Sequence, residues 1–161
     1  AMKMSGLFAE RDKGYYDRFR SRIMFPIKNY TGNVIAFGGR IFNNDNPAKY
    51  VNSPESKIYH KSNVLYGLYF AKQAIRKSDN CYVVEGYTDV LSLHQKGVEN
   101  VVSSSGTAFT KEQIKLISRN TNTITLLFDS DDAGSQWRFG RWSTAIRFLG
   151  YRYGRRSRRH C

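Results

Sequence analysis

The chain has 161 residues, 40% of them hydrophobic, which is enough to bury one or two modest cores. Its apolar residues come in short runs, none near the roughly 20 that a membrane span needs, and residues 1–14 lack the apolar segment of a secretion signal. The two cysteines, Cys81 and Cys161, are too far apart for a zinc pattern or a disulfide framework. These features exclude membrane-spanning and disulfide-rich secreted classes and indicate a cytoplasmic protein with Cys81 as a buried thiol.

The formal net charge of +13 is unevenly distributed. Eight arginines and no acidic residue lie between Ala133 and Cys161, so residues 1–132 carry only +5 of the total. A mildly basic body suits a polyanionic partner such as nucleic acid, although it does not identify one.

Residues 15–60 contain short β-rich runs separated by turn signals. The run from Arg22 to Ile27 is followed by a turn at 29–33, a second run at 34–37 and the pair Gly38-Gly39. This spacing predicts a small antiparallel hairpin or meander, with the Pro26 strand at an edge.

From residue 63 onward, helical and strand patterns alternate. The predicted elements are a helix over 63–77, a strand over 81–84, a helix over 89–96, a strand beginning at Val101, a capped helix beginning at Thr110 and a strand over 123–128. A βαβαβ order predicts an α/β fold in which helices cover both faces of a parallel sheet.

Carboxylates follow two of these strands directly. Glu85 comes after the apolar run 81–84, and Asp129, Asp131 and Asp132 follow the run ending at Phe128. Because ligands bind beyond the carboxyl ends of parallel strands, neighbouring strands would bring these acids together. Carboxylates that converge in this way need a cation, and hard oxygen ligands favour Mg²⁺. The alternative is a solvated turn that caps the next helix, and periodicity alone does not separate the two.

The sequence motifs around these acids resemble those of a known fold. VVEGYTDV, SSSGTAFT and FDSDDAG occur in the order and spacing of the Toprim fold, which primases, topoisomerases and some nucleases share. Upstream, RFRSRIMFPI, GGR and NSPES resemble the catalytic core of DnaG-type bacterial primases. The resemblance runs from about Tyr15 to about Gly134. It implies a partial β-rich amino-terminal subdomain over 1–60 and a truncated Toprim domain, a Rossmann-like parallel βαβαβ sheet, over 61–134.

The resemblance also implies functional residues. Glu85, Asp129 and Asp131 fall on the family's metal-binding, catalytic acids, while Asp89 is expected to cap a helix. The positions expected to face nucleotide or nucleic acid are Arg18, Arg20, Arg22, Arg40, Lys49, Asn52 and Lys61. Arg40, Lys49 and Lys61 are each flanked by turn-forming residues, so each either projects from a loop toward phosphates or is an ordinary solvated surface charge. The glycines before Arg40 allow close backbone approach. The three alternating arginines would form one basic stripe if they lay on a strand, or merely a solvated edge.

The implied activity is template-directed synthesis of short RNA primers for DNA replication, by nucleotidyl transfer dependent on Mg²⁺ or Mn²⁺. The implied partners are a single-stranded DNA template, ribonucleoside triphosphates and, in the primosome, a replicative helicase bound through a domain absent from these residues. No membrane is involved. The alternatives are another Toprim enzyme, nuclease or topoisomerase-like, or an inactive fragment that only binds nucleic acid.

Residues 135–161 differ in composition from the rest of the chain. They contain eight arginines and several aromatic residues but lack the further acidic cluster that the family carries. The expectation is a non-native continuation of the chain, such as a frameshifted end. The rival interpretation is an arginine–aromatic arm that binds nucleic acid.

Overall fold

The computed structural model describes residues 6–12, 14–42, 48–105 and 109–128, together with the backbone of 145–148. Within these ranges, no helix combines the length and apolar character needed to cross a bilayer.

The amino-terminal part forms two antiparallel sheets. Strands β1 (Phe8–Arg11) and β2 (Gly14–Asp17) form a hairpin that the sequence does not predict, because its residues are largely exposed and lack an apolar alternation. Strands β3 (Arg22–Lys28) and β4 (Val34–Ile41) form the predicted antiparallel pair, and β5 (Tyr50–Asn52), which the sequence does not predict, extends it to a meander in the order β3-β4-β5. Pro26 lies on the edge strand β3, as predicted, where its missing N–H costs no ladder hydrogen bond.

The rest of the described chain is built on a parallel sheet. Its strands are β6 (Cys81–Val84), β7 (Val101–Ser103), β8 (Thr123–Leu126) and β9 (Ala145–Phe148), in the order β7-β6-β8-β9. Helices α1 (Leu68–Ser78) and α3 (Lys111–Ile117) share one core with the inner strands, and α2 (Tyr87–Gln95) packs on the opposite face. This confirms the predicted α/β class and the βαβαβ order with helices on both faces.

Side-chain alternation along β6 explains the two helical layers. Cys81 and Val83 face the core beneath α1 and α3, whereas Val84 packs with Val90 of α2. Cys81 is fully buried as predicted, and burial raises the pKa of its thiol well above the usual range.

Two predicted helix starts shift. The helix predicted over 63–77 begins only at Leu68, because the Tyr66 backbone exchanges two hydrogen bonds with Ser103 of β7. Gly67 then turns the chain with φ +85°, a conformation that favours glycine. The helix predicted over 89–96 begins earlier, at Tyr87, because Asp89 caps it through Gly86. The predicted capping box of Thr110 and Gln113 is present in α3.

Strand β9 lies in a segment for which the sequence predicts no element. It pairs in parallel with β8, from Thr123–Ala145 to Leu126–Phe148. A four-residue strand held through its backbone is compatible with many sequences, so the interpretation of 135–161 as a non-native end stays a prediction.

Candidate active site

The strand order creates a crevice at the carboxyl ends of β6 and β8. The connection from β6 leads to β7 on one side, and the next connection returns to β8 on the other side. Such a reversal is the point at which open α/β sheets bind ligands. Glu85 follows β6 directly and is exposed there. The register, which pairs Val83 with Leu126, puts Phe128 level with Glu85 when it is extended by two residues.

The other two predicted metal ligands, Asp129 and Asp131, lie outside the described residues. Among the residues that are described, no three His, Cys, Asp or Glu side chains cluster closely enough to hold a metal ion. The structure therefore locates Glu85 beside the end of β8, and the three-acid site stays a prediction.

The backbone around Glu85 is fixed from two sides. Ser103, fully buried at the end of β7, donates its hydroxyl to the Glu85 carbonyl oxygen at 2.7 Å and accepts the Ser105 N–H at 2.9 Å. On the other side, the Asp89 carboxylate accepts the Gly86 N–H at 2.9 Å. Asp89 thus has the capping role that the sequence predicts, whereas the clamp by Ser103 was not foreseen. The one sequence feature that could have indicated this bond is a serine at the end of the apolar strand run.

Tyr87 anchors the same turn to the antiparallel sheet. Its ring is 3% exposed and stacks on Phe25 at 5.1 Å, with Tyr66 edge-on at 4.7 Å. Its hydroxyl donates to Asn52 Oδ1 at 2.8 Å, and Asn52 Nδ2 donates to the Ser105 carbonyl at 3.4 Å. Burial raises the pKa of Tyr87 to about 12, so the hydroxyl stays a neutral donor at physiological pH.

This network gives Asn52 a structural partner. The family resemblance implies a nucleotide-binding role for Asn52, and in the structure its amide bridges Tyr87 and Ser105. Any role of Asn52 in the site therefore includes holding the segment from Glu85 to Tyr87 against β5.

The expectation that Arg40 projects from a loop is wrong, because Arg40 lies within β4 and pairs with Tyr50 of β5. Its guanidinium lies 5.7 Å from the centre of the Tyr50 ring. The Tyr50 hydroxyl is in turn 3.5 Å from Thr88 Oγ1, in the first turn of α2. One tyrosine ring therefore separates Arg40 from the turn that begins at Glu85.

The glycines before Arg40 are explained by packing. A Cβ on Gly38 would lie 2.5 Å from the Tyr87 ring, and one on Gly39 would lie 2.7 Å from the ring of Phe19. Both positions thus make room for aromatic rings. The motif GGR needs no bound ligand to account for its glycines.

The idea that Arg18, Arg20 and Arg22 share one strand face is also wrong. Residues 18–21 form the turn between β2 and β3, and only Arg22 lies on a strand. The Arg22 guanidinium donates to the carbonyls of Gly39, Ala48 and Lys49, which ties β3 to the start of β5. The turn interrupts the alternation that a stripe requires.

Lys49 and Lys61 lie in different places. Lys49 is exposed just before β5, close in sequence to Tyr50. Lys61 begins a 3₁₀ turn (Lys61–Asn63), and its carbonyl accepts from Gln113 of α3 at 3.2 Å. The strand that carries Arg40 is linked to the Glu85 turn through Tyr50 and Thr88, whereas Lys61 contacts α3.

Comparisons with known proteins agree with this arrangement. Residues 1–72 match the family described as "DNA primase catalytic core, N-terminal domain", and residues 82–139 match the family described as "Toprim-like". The DNA primase of Clostridium acetobutylicum is 50% identical over 131 residues, which is 81% of this chain and 22% of that protein. The DNA primase of Escherichia coli K12 is 44% identical over 146 residues, or 90% of this chain and 25% of that protein.

The chain belongs to the DnaG-type DNA primase family.

Solved primase structures share its fold. A DNA primase domain from Pseudomonas aeruginosa superposes with a TM-score of 0.82 and 42% identity, over 95% of this chain and 51% of that one. A DnaG primase catalytic domain bound to single-stranded DNA gives a TM-score of 0.83 and 40% identity, over 95% and 50%. The chain spans only 21–25% of the length of the curated primases it matches.

Proposed function

We propose that this chain carries the part of a DNA primase that joins ribonucleotides into short RNA primers on a single-stranded DNA template. The observation that carries the proposal is Glu85, fixed at the carboxyl end of β6 beside the strand that leads into Asp129. The primase relatives favour this function over a nuclease or a topoisomerase.

We assign Glu85, Asp129 and Asp131 as ligands of Mg²⁺ or Mn²⁺. Carboxylate oxygens are the hard donors that these ions prefer, and a crevice at a strand reversal leaves room for a substrate phosphate. When bound, the ion supplies Lewis-acid stabilisation of the phosphoryl group and of the attacking hydroxyl oxygen.

The protein's own contribution is preorganisation and charge. Ser103 and Asp89 hold the carbonyl oxygen and the N–H of the single peptide group that joins Glu85 to Gly86, so the Glu85 carboxylate is presented from a fixed backbone. Arg40 and Lys49 flank Tyr50 beside this turn, and we propose that they contact nucleotide or template phosphates. Arg18, Arg20 and Lys61 remain candidates for the template path. The helicase would bind through parts of the protein outside these residues.

Manganese binding tests the metal assignment independently of turnover. We expect the Glu85→Gln substitution to weaken Mn²⁺ binding about tenfold or more, by titration calorimetry on the 161-residue chain. The matched control is Glu99→Gln, an exposed glutamate just before β7, at the opposite end of the parallel sheet. Equal Mn²⁺ affinity in the two variants would remove Glu85 from the metal site.

Primer synthesis on single-stranded DNA tests the activity itself. We expect the same Glu85→Gln substitution to abolish primer extension in the context of a full-length primase. Retained single-strand binding by this chain, with no Mn²⁺ binding and no turnover, would instead make it a binding module. For the phosphate contacts, Arg40→Ala and Lys49→Ala should each lower the salt slope of binding by roughly 0.7.

A further inference from the structure

A row of alternating cations and aromatic rings runs across α1 and the β3–β4 turn, apart from every residue assigned above. In order, Phe70 and Tyr69 lie 4.9 and 5.2 Å from the Lys28 ammonium, and Tyr69 and Tyr30 lie 4.6 and 5.2 Å from that of Lys72. The Arg119 guanidinium follows, 5.7 Å from the Tyr30 ring. We call this row the cation–aromatic ladder: Lys28, Tyr30, Tyr69, Phe70, Lys72 and Arg119.

Local structure holds the ladder in place. Asn29 Oδ1 accepts the N–H groups of Thr31 and Asn33, which closes the turn that carries Tyr30. Gly32, at φ +99°, lies so close to the Tyr69 ring that a Cβ would approach it to 2.6 Å. Arg76, one turn beyond Lys72 on α1, donates to the Tyr30 hydroxyl at 3.1 Å. The cations and rings are thus positioned before any ligand arrives.

The charge of this surface is not neutralised internally. Within the described residues, Lys28, Lys72, Arg76 and Arg119 form no ion pair with a carboxylate. Four such cations on one surface attract a polyanion. The ring of Phe70, at one end of the ladder, is 62% exposed and can receive a stacked partner.

A cavity of about 350 Å³ opens beside the exposed end of the ladder. Lys28, Tyr69 and Phe70 form part of its wall, and Leu91 and His94 of α2 form another part. The wall is mostly apolar and aromatic, which suits a flat heteroaromatic group.

We propose that the ladder and its cavity form a second contact surface for single-stranded nucleic acid. Phe70 and the cavity take one unstacked base, the His94 side chain packs against that base as part of the cavity wall, and the ladder cations with Arg76 follow the backbone phosphates. An acidic peptide would use the cations but has no base to fill the cavity, and a duplex keeps its bases stacked. The proposal does not rest on the metal site, since none of these residues is among the predicted ligands.

Salt-dependent binding of labelled oligo(dT) to the 161-residue chain separates the two kinds of contact. Arg76→Gln should lower the salt slope by roughly 0.7, because a phosphate contact is lost. The matched control is Lys77→Gln, the adjacent exposed cation on α1, which lacks the bond that Arg76 makes to Tyr30 of the ladder and should leave the slope unchanged. The arginines after Ala133 are present in every variant, so the comparison is made at constant charge in that segment.

Base contacts predict the opposite pattern. Phe70→Leu and His94→Leu should each weaken oligo(dT) binding, the former about fivefold or more, without changing the salt slope. The same substitutions should leave duplex binding unaltered. Photocrosslinking with an iodouracil oligonucleotide should mark Tyr69 or His94, and polyglutamate should not protect them at matched charge.

Three results would overturn the proposal. The first is an equal salt slope in the Arg76→Gln and Lys77→Gln variants, and the second is crosslinking confined to other segments. The third is protection by polyglutamate equal to that by oligo(dT), which would indicate a general acidic partner. If loss of the Tyr30 contact unfolds Arg76→Gln, then Arg119→Gln provides the same slope test, and Arg76→Lys should restore the slope.

Discussion

The Tyr87→Phe substitution removes one oxygen atom from the link between the two sheets. The ring keeps its stacking on Phe25 and Tyr66, so no cavity forms. What is lost is the 2.8 Å hydrogen bond to Asn52 Oδ1, which leaves a partly buried acceptor without its donor. Such a loss costs about 1–2 kcal/mol of the free energy of unfolding.

A double-mutant cycle with Asn52→Ala isolates this bond. Urea denaturation of the wild type, the two single variants and the double variant should give a coupling free energy of about 1 kcal/mol. Tyr15→Phe, at an exposed position on β2, is the control for removing a tyrosine hydroxyl and should change stability by less than about 0.5 kcal/mol. Additive single effects would refute the bond as a link between the sheets.

The same cycle decides what Asn52 does. If Asn52 acts by holding Tyr87, then Tyr87→Phe and Asn52→Ala should weaken Mn²⁺ binding to a similar extent, because both loosen the turn after Glu85. If Asn52 contacts nucleotide directly, only Asn52→Ala should lower the affinity for ribonucleoside triphosphates.

Three further outcomes are expected from the same structure. Ser103→Ala should cost about 1–3 kcal/mol, because the Glu85 carbonyl and the Ser105 N–H both lose a buried partner, whereas the exposed Ser92→Ala should be near neutral in the same urea assay. Gly38→Ala should cost roughly 1–3 kcal/mol by forcing a Cβ against the Tyr87 ring, and a wild-type melting temperature would contradict that contact. Burial raises the pKa of Tyr87 to about 12 in the folded protein, against 10.0 for an exposed tyrosine, so the unfolded chain loses this proton first as the pH rises. The contribution of Tyr87 to the free energy of unfolding is therefore intact below pH 10 and falls by about 2–3 kcal/mol as the pH rises to 12. The Tyr87→Phe substitution should reduce this decline in urea denaturation measured across that pH range.

Much of the fold is encoded in local patterns. The run 81–84 is apolar throughout and is bounded by turn residues, so its burial in a parallel strand is predictable. Thr110 and Gln113 specify a helix start through a local capping box, and the structure has it. The order of the motifs identified the family, because short sequence motifs can be recognised without knowing how the chain packs.

Expectations that required a side chain to face a particular environment were less successful. Arg40 follows two glycines that suggest a loop, yet those glycines make room for the rings of Phe19 and Tyr87, which lie far away in sequence. RFRSR alternates like a strand, but a turn between β2 and β3 interrupts it. Domain boundaries near residues 60 and 134, and the roles of Asp129 and Asp131, stay predictions.

The sequence by itself determined the alternating strands and helices from α1 to β8, the α/β class, the family and the position of Glu85 at the end of a buried strand. Only the tertiary structure decided that β6 lies between β7 and β8, because strand order depends on long-range pairing that no local pattern encodes. That order places Glu85 at the strand reversal, beside the chain leading to Asp129. Long-range hydrogen bonds of Ser103, Tyr87 and Asn52 hold it there. Serine and asparagine are usually exposed, so no sequence pattern marks Ser103 or Asn52 as structural. Their roles follow from the partners that folding brings within hydrogen-bonding distance.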